Sequence, residues 1–275
     1  MKRPPPERRD EEFRRLVYEH YRLLGRRDLP WRRTRDPYRI LVSEVMLQQT
    51  QVPRVLGRYE PFLEEYPDVQ SLSKAPLQTV LRSWSGLGYN RRALLLRRAA
   101  RETIERFGGR LPADLDELLT LPGVGRATAG ALCAFAFEIA HPFIETNIRA
   151  VFLHHFFPGE TLVPDTRILP LVESTLDRDD PRSWYYALMD YGVWLKKEYP
   201  NPSRRSAHHA AQGAFEGSER QARGLIVRAL AGEAMDRRGL ARATGLDRGR
   251  LERNLERLER EGFVAREGGR YRIAR

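Results

Sequence analysis

Cysteine is nearly absent from the 275-residue chain, in which Cys133 is the only one. A single thiol excludes an internal disulfide and any iron-sulfur or zinc cluster held by cysteines of this chain alone. Long apolar runs are also absent, because none approaches the roughly 20 residues of a membrane-spanning helix. Residues 1–10 lack the apolar core of a signal peptide. These absences predict a soluble, cytoplasmic protein that needs no cofactor and has no membrane partner.

Strand patterns are scarce in the first 215 residues, where apolar residues recur at helical spacing between short Gly/Pro connections. One helix is predicted from Phe13 to Leu24, before Gly25, and a second begins near Tyr38. Further helices are predicted at Pro53–Tyr66, Leu77–Ser83, Asn90–Phe107, Asp114–Leu121, Ala127–Ile139, Asn147–Phe157, Arg167–Leu176 and Pro181–Lys197. The fold class is therefore mainly α.

Composition divides the chain into four segments. Residues 1–10 predict a flexible basic arm, because three consecutive prolines cannot join a helix. Residues 11–197 form the helical domain, and residues 198–217, which are polar and rich in Pro and Gly, predict a linker. Residues 218–275 combine three predicted helices with a hairpin signal and predict a winged-helix domain.

The charge of the chain points to an anionic partner. Lysine and arginine number 48 against 37 acidic residues, which gives a formal net charge of +11 and favours a nucleic acid. In winged-helix domains the third helix and the wing usually face DNA. However, the alternating Glu and Arg of the third helix also fit a solvated surface with i,i+4 pairs, so DNA contact by this domain stays open.

The segment Leu121–Gly130, LPGVGRATAG, is a candidate phosphate site. Pro122 ends the preceding helix, and Gly123 and Gly125 allow a tight turn before the next one. Such a turn presents backbone N–H groups at a helix N-terminus, which suits a phosphate. The same residues also fit an ordinary connection between helices.

Two carboxylates form a candidate catalytic pair. Glu44 lies among apolar residues on a predicted helix before Gln48 and Gln49, and a desolvated carboxyl is a candidate general acid. Glu145 precedes the helix that begins near Asn147, where the helix dipole favours an anion. One carboxyl group that keeps its proton and one that is ionised are the pair of groups needed to cleave a glycosidic bond. From spacing alone, Glu44 could equally be a residue on the helix surface, and Glu145 could equally be an acid that caps the next helix.

Six motifs within residues 11–195 identify a resemblance: LPWR (29–32), DPYRILVSEVMLQQTQV (36–52), WSGLGYNRRA (84–93), LPGVGRATAGA (121–131), ETNIRAV (145–151) and ALMDYG (187–192). In them the chain resembles the helix-hairpin-helix (HhH-GPD) DNA glycosylases. Within that superfamily it resembles the A/G-mismatch adenine DNA glycosylases more than the endonuclease III branch. The resemblance implies a two-lobed helical body.

The resemblance implies roles for individual residues. Glu44 would protonate the flipped adenine, and Glu145 would stabilise the oxocarbenium-like sugar and orient water. Gln49 and Tyr89 would fill or wedge the base stack. The hairpin Gly123–Gly125 would hold a phosphate, often with a bound Na⁺ or K⁺, and no other metal site is expected. The remaining residues expected at the DNA- or base-binding surface are Arg32, Gln48, Val124, Arg126 and Asn147.

The chain also departs from relatives in ways that bear on its reaction. Relatives that form a Schiff base and cut the strand carry lysine where this chain has Ala127, so hydrolysis by water is expected. Glu145 replaces the family aspartate. A winged helix replaces the domain that reads 8-oxoguanine. Where many relatives have the four cysteines of an iron-sulfur cluster, this chain has Lys196, Ser203, Ser206 and Gln212, so no cluster is expected.

The predicted function is a monofunctional glycosylase of base excision repair that removes adenine mispaired with G or 8-oxoguanine. Its partner is mismatched or damaged double-stranded DNA, its expected state is a monomer, and in a prokaryote it would be nucleoid-associated. One alternative keeps the fold and changes the base to uracil or thymine opposite G, or to another damaged base. Another, motivated by Glu145, is a non-catalytic DNA-binding protein on a glycosylase scaffold.

Overall fold

The computed structural model describes residues 6–210 and 213–274 and is mainly helical. The helices are α1 (Pro6–Leu24), α2 (Pro37–Leu47), α3 (Val52–Glu65), α4 (Val69–Lys74), α5 (Leu77–Ser83), α6 (Arg91–Phe107), α7 (Leu115–Leu119), α8 (Arg126–Ala136), α9 (Thr146–Phe156), α10 (Asp165–Thr175), α11 (Pro181–Glu198), α12 (Glu219–Gly232), α13 (Arg237–Thr244) and α14 (Arg248–Arg260). Two strands, β1 (Val264–Glu267) and β2 (Arg270–Ile273), follow them, and 3₁₀ turns lie at Pro30–Arg32 and Pro202–Arg205.

By their internal contacts the described residues form two compact units. The first unit consists of residues 6–41, 112–120 and 124–210, and the second of residues 42–111, 121–123 and 213–274. This division differs from the predicted boundaries, because residues 218–274 group with residues 42–111 instead of standing apart. Among the described residues, no helix combines the length and apolar content of a bilayer-spanning segment.

In the first unit, α11 packs against α1, α8 and α9. Its side chains Trp184, Tyr185 and Leu188 are completely buried, and the ring of Phe13 on α1 lies edge-on to Trp184. Burial of each large apolar side chain contributes about 1.5–3 kcal/mol. The core that holds α9 in place is therefore built mainly by α11.

In the second unit, α6 packs against α4 and α5, and α12 packs against α5, α13, α14 and β2. The buried face of α6 carries Leu94, Leu96, Ala99 and Ala100 at the spacing of an amphipathic helix. Side chains of α5 also bind the end of α12, since Gln78 Nε2 donates to the Ala231 carbonyl at 3.0 Å. The C-terminal residues are thus attached to the helices of residues 42–111.

We call residues 218–274 the C-terminal module. Its three helices are each capped by a side chain, from Ser218, Asp236 and Asp247. The predicted hairpin is present as the antiparallel pair β1 and β2, and Met235 forms an additional bridge with Tyr271. The module therefore contains three helices and a two-stranded element.

The N-terminus differs from the predicted flexible arm. Residues 1–5 lie outside the described residues, but residues 6–10 are the first part of α1. Pro6 is the first described residue of α1. Asp10 is buried, and Arg8 pairs with Glu12 one turn later, with 3.2 Å between Nε and Oε1. The last of the three prolines therefore lies within a helix.

Part of the predicted linker 198–217, up to residue 210, belongs to the first unit and is packed within it. The Ser203 hydroxyl donates to the Thr146 carbonyl at 3.1 Å, and Arg205 Nη2 donates to the Leu153 carbonyl at 2.7 Å. Ser206 pairs with Val163 in a β-bridge. Two of the residues at the cysteine positions, Ser203 and Ser206, are therefore buried and bonded within the protein, whereas Gln212 lies outside the described residues.

Candidate functional site

Glu44, the predicted general acid, lies on the part of α2 that belongs to the second unit, and it is half-buried. Its neighbours along the helix, Ser43, Val45 and Met46, are buried. Half-buried carboxyl groups beside apolar side chains are frequent proton donors in enzymes. The surroundings of Glu44 are therefore compatible with the predicted role.

Gln49 and Tyr89, the residues expected to enter the base stack, have left-handed backbone, with φ of 54° and 47°. Among the described non-glycine residues only Glu138 and Leu162 share this conformation. It costs a residue with a side chain about 1–3 kcal/mol, and such residues concentrate at functional sites. Two of the four left-handed residues thus coincide with the predicted wedge.

Arg92, which sequence analysis did not single out, connects the segments that carry these two residues. The guanidinium is buried and donates to the carbonyls of Val45 (2.7 Å), Met46 (2.7 Å), Leu87 (3.3 Å) and Gly88 (3.1 Å) and to Thr50 Oγ1 (2.9 Å). Two of these acceptors lie in the last turn of α2, where carbonyls have no partner within the helix. Burial lowers the pKa of Arg92 to about 10. Arg92 therefore fixes the turn of residues 85–90 to the end of the helix that carries Glu44.

A cleft of 1230 Å³ in the second unit is lined by Gln48, Gln49 and Tyr89 on one side and by α12, α14 and Phe263 on the other. Its arginines are Arg54, Arg82, Arg91, Arg92, Arg220, Arg223, Arg228 and Arg257. Only Glu219 and Glu261 oppose them in the lining. A concave surface with this charge attracts a polyanion. We call it the basic cleft.

The predicted phosphate-binding turn Gly123–Gly125 contains a backbone conformation that glycine adopts more easily than other residues. Gly123 has a φ of 81°, and a Cβ there would lie 2.8 Å from the Cβ of Leu95, within the second unit. Gly125 is the N-cap of α8 in the first unit and supplies no side-chain cap. Arg126, the first residue of α8, is exposed. The first N–H groups of α8 therefore have no side-chain acceptor at the N-cap, as expected for an anion site.

Glu145 is the N-cap of α9 in the first unit. Its Oε1 accepts from the backbone N–H groups of Asn147 at 2.7 Å and Ile148 at 2.9 Å, and its Oε2 accepts from Asn147 Nδ2 at 3.1 Å. The carboxyl group thus lies at the positive end of the helix dipole and accepts three hydrogen bonds there. The side chain that caps α9 is therefore the one that is predicted to stabilise the sugar cation.

Helix α11 passes directly by the start of α9. A Cβ on Gly192 would lie only 2.3 Å from the Asn147 carbonyl oxygen, so glycine is required for this approach. One turn further along α11, Lys196 is half-buried. Burial lowers the pKa of Lys196, and the charge of Glu145 opposes that shift. The surroundings of Glu145 thus include a cation.

Arg32, predicted to contact DNA, is bound to α11 instead. Its Nη1 and Nη2 donate to the two carboxylate oxygens of Asp190 at 2.7 and 2.8 Å, and its side chain is 4% exposed. Arg26 adds a further ion pair to the same carboxylate. Burial alone would raise the pKa of Asp190, but the arginines outweigh it and hold that pKa below its usual value. The Arg32 guanidinium is therefore buried and paired with Asp190, and its contact with DNA stays a prediction.

The structure brings some of the predicted residues together. Gln48, Gln49 and Tyr89 line one cleft of the second unit. Glu145 and Asn147 share the start of α9 in the first unit. Arg92 was missed although it stands in the NRRA part of a recognised motif, because its acceptors lie 4 to 47 residues away along the chain.

Comparisons with known proteins identify the family of this chain. Residues 42–174 match the HhH-GPD superfamily of base excision DNA repair proteins. The adenine DNA glycosylase of Mycobacterium tuberculosis is 31% identical over an alignment of 269 residues that covers 87% of this chain and 86% of the relative. The solved structure of a thermostable thymine-DNA glycosylase superposes with a TM-score of 0.61 at 27% identity, covering 68% of this chain and 87% of the other.

Other relatives are longer than the matching part. An adenine DNA glycosylase of Buchnera aphidicola is 37% identical over 144 residues, which cover 52% of this chain and 41% of the relative. Across three Buchnera glycosylases the chain spans about half of the relative's length, from 41% to 54%. Family membership rests on the mycobacterial relative, which is matched over most of both chains. The chain therefore belongs to the adenine DNA glycosylases of the HhH-GPD superfamily.

Proposed function

We propose that the protein is a monofunctional DNA glycosylase that hydrolyses the N-glycosidic bond of an adenine mispaired with G or 8-oxoguanine. The observation that supports it best is the geometry around Arg92. This side chain fixes the left-handed Tyr89 turn to the helix that carries Glu44. A residue that replaces an extruded base must be held rigidly, since small displacements of a positioning group cost much of the rate.

In the proposed reaction, Glu44 donates a proton to the extruded adenine and makes it a better leaving group. The bond between the base nitrogen and C1′ breaks, and positive charge develops on the sugar. Glu145, ionised at the start of α9, stabilises that charge and orients the attacking water. Water adds at C1′ and gives its proton to the Glu145 carboxylate, which releases it to solvent, while Glu44 regains from solvent the proton that left with adenine. An abasic site and free adenine are the products.

The absence of an amine at position 127 supports the monofunctional assignment. Ala127 follows Arg126 at the start of α8 and carries no nucleophile that could form a Schiff base with the sugar. We also propose that the enzyme works without an iron-sulfur cluster. The packing of Ser203 and Ser206 against the first unit takes the place of a cluster-binding loop.

The C-terminal module is proposed to be a winged-helix domain. Its three capped helices, the hairpin β1 and β2 and the additional bridge of Met235 support this assignment. The turn at Gly123–Gly125, in which both glycines are exposed and Val124 is buried, is proposed to hold a DNA phosphate with a monovalent cation, Na⁺ or K⁺.

A second candidate keeps the reaction and changes the base to thymine or uracil opposite guanine. The similarity to the thymine-DNA glycosylase structure favours it. Duplexes holding A, T or U opposite G, and A opposite 8-oxoguanine, separate the two candidates when abasic product is measured. Release of adenine alone is expected. Release of thymine or uracil alone would favour the second candidate, and tight binding without product on every duplex would favour a non-catalytic protein.

A further inference from the structure

We propose that Arg220, on the first turn of α12, is a positioning residue that holds Tyr89 ready to enter the base stack. The C-terminal module would then be part of the base-extrusion apparatus. This inference rests on the proposed function, because it assigns to Tyr89 the role of a wedge. On this proposal, the residue of the module that acts on the base stack lies on α12, and not on the third helix or the wing.

The contact between Arg220 and Tyr89 is direct. Arg220 Nη1 donates to the Tyr89 hydroxyl at 2.8 Å, and the guanidinium carbon lies 5.4 Å from the centroid of the Tyr89 ring. The guanidinium of Arg92 lies at a similar distance of 5.5 Å from the same ring. Tyr89 is therefore contacted by one arginine from α6 and one from the C-terminal module, both inside the second unit.

Arg220 lies in the first turn of α12, where a positive charge is unfavourable because it opposes the helix dipole. Other contacts of its side chain must therefore offset this cost. Its side chain is half-buried, and its Nε is buried without a hydrogen-bond partner among the described residues. Its Nη2 donates only weakly, to the Gly213 carbonyl at 3.3 Å. The hydroxyl and ring of Tyr89 and the ring of Phe215, 5.4 Å away, supply the favourable contacts.

Helix α12 is held firmly enough to act as a support. At its far end, Arg82 Nε donates to the Ala231 carbonyl at 2.6 Å, and Arg82 Nη2 donates to the Gly232 carbonyl at 3.2 Å. Bonds from α5 thus fix one end of α12, and Arg220 meets Tyr89 at the other. By contrast, exposed wing residues such as Arg270 lie outside the lining of the basic cleft.

The test uses the full chain and a duplex with 2-aminopurine in the target position opposite guanine, because this base fluoresces more when it leaves the stack. Arg220→Met and Tyr89→Phe each remove one side of the hydrogen bond. Arg228→Met removes an equal charge from an exposed position of α12 that lines the same cleft. Duplex affinity is measured by anisotropy, and the rate of fluorescence rise is measured with saturating protein.

We expect Arg220→Met and Tyr89→Phe each to slow extrusion about tenfold, equivalent to about 1.4 kcal/mol of barrier. The double variant should be no slower than either single one, since both remove the same interaction. Arg228→Met should weaken binding in a salt-dependent way and leave extrusion at saturation unchanged. Thermal melting of Tyr89→Phe, which removes one oxygen atom, serves as the folding control.

Additive slowing in the double variant, or equal extrusion by Arg220→Met and Arg228→Met, would overturn the inference. Faster extrusion by Arg220→Met would also overturn it, because Arg220 would then restrain Tyr89 instead of supporting it. If the wild-type chain extrudes 2-aminopurine but releases no adenine from any duplex, the proposed chemistry fails while the role of Arg220 is still decided. If the wild-type chain gives no fluorescence response, both fail.

Discussion

At the scale of single residues, Glu145 serves two purposes with one carboxylate. It caps α9 through the N–H groups of Asn147 and Ile148, and it is the proposed stabiliser of the sugar cation. Glu145→Gln retains a carbonyl oxygen that can still accept those bonds but loses the charge. We expect a loss of base release of about 10²–10³-fold, the size typical of a missing electrostatic stabiliser, with little change in melting temperature.

Glu145→Asp is the matched variant, because it keeps the charge and restores the family residue. Its single-turnover rate should equal or exceed that of the wild-type chain. If Glu145→Gln released adenine as fast as the wild-type chain, the carboxylate would be a cap alone.

A histidine in the first unit predicts how stability depends on pH. Burial, assisted by the charge of His154, lowers the pKa of His155 to about 4. The unfolded chain has an ordinary histidine pKa of about 6.5 and binds the proton first, so stability falls as the pH drops from about 6.5 to 4. We expect His155 to account for about 1–3 kcal/mol of that loss.

His155→Gln is the appropriate variant, because an amide can still bond to the Tyr191 hydroxyl that His155 Nε2 meets at 2.9 Å. Urea unfolding at pH 7, 6, 5 and 4 should show a smaller decline for the variant than for the wild-type chain. An identical decline would mean that His155 is not responsible.

At the scale of helices, the approach of α11 to the start of α9 depends on Gly192. An alanine Cβ there would lie 2.3 Å from the Asn147 carbonyl oxygen, which forces the two helices apart. We expect Gly192→Ala to destabilise the chain by about 1–3 kcal/mol, as for other overpacked sites. It should also slow base release, because Glu145 lies at the displaced helix end.

Gly224→Ala provides the control for this prediction. Gly224 lies within α12, and its added Cβ would have no neighbour within 4 Å. Alanine should therefore stabilise the helix by about 0.5–1 kcal/mol through its higher propensity. Urea denaturation measures the free energy of unfolding of both variants. An unchanged free energy of unfolding in Gly192→Ala would contradict the close contact between the two helices.

Most helices were predictable from periodicity and caps, but one was missed. Helix α4 has six residues, too few for a clear apolar period, although Asp68 and Ser71 form a capping box. Arg92 and Arg220 could not be predicted, because Arg92 bonds to residues up to 47 positions away and Arg220 to Tyr89 at a separation of 131. Local pattern contains no information about such contacts.

At the scale of the whole molecule, sequence boundaries separated the C-terminal module from the helical body. The structure instead groups it with residues 42–111, through bonds such as Arg98 Nη2 to the Glu261 carbonyl at 3.3 Å. A change in composition marks where one segment of the sequence ends and another begins. It does not show which part of the protein the new segment will pack against. Motifs accordingly identified Glu44, Gln49 and Tyr89 as candidate site residues, but they gave no indication that Arg220 of α12 contacts Tyr89.

This grouping changes the result expected from truncation. Deleting residues 218–275 removes α12, which packs against α5 and accepts hydrogen bonds from Gln78 and Arg82, so we expect a lower melting temperature as well as weaker DNA binding. Arg270→Gln, which removes one exposed charge from β2, should leave the melting temperature unchanged. A truncated chain that melts as the full chain does would show that the module is independent.

The proposed chemistry is tested most directly by the single-turnover release of adenine from a duplex with A opposite 8-oxoguanine, comparing the wild-type chain with Glu44→Gln. The amide occupies nearly the same volume but cannot donate the proton. We expect the rate to fall by about 10²–10⁴-fold while duplex affinity stays within about threefold of the wild-type value, since Glu44 contributes no positive charge to phosphate binding. Adenine release by Glu44→Gln at the wild-type rate would contradict the proposed reaction.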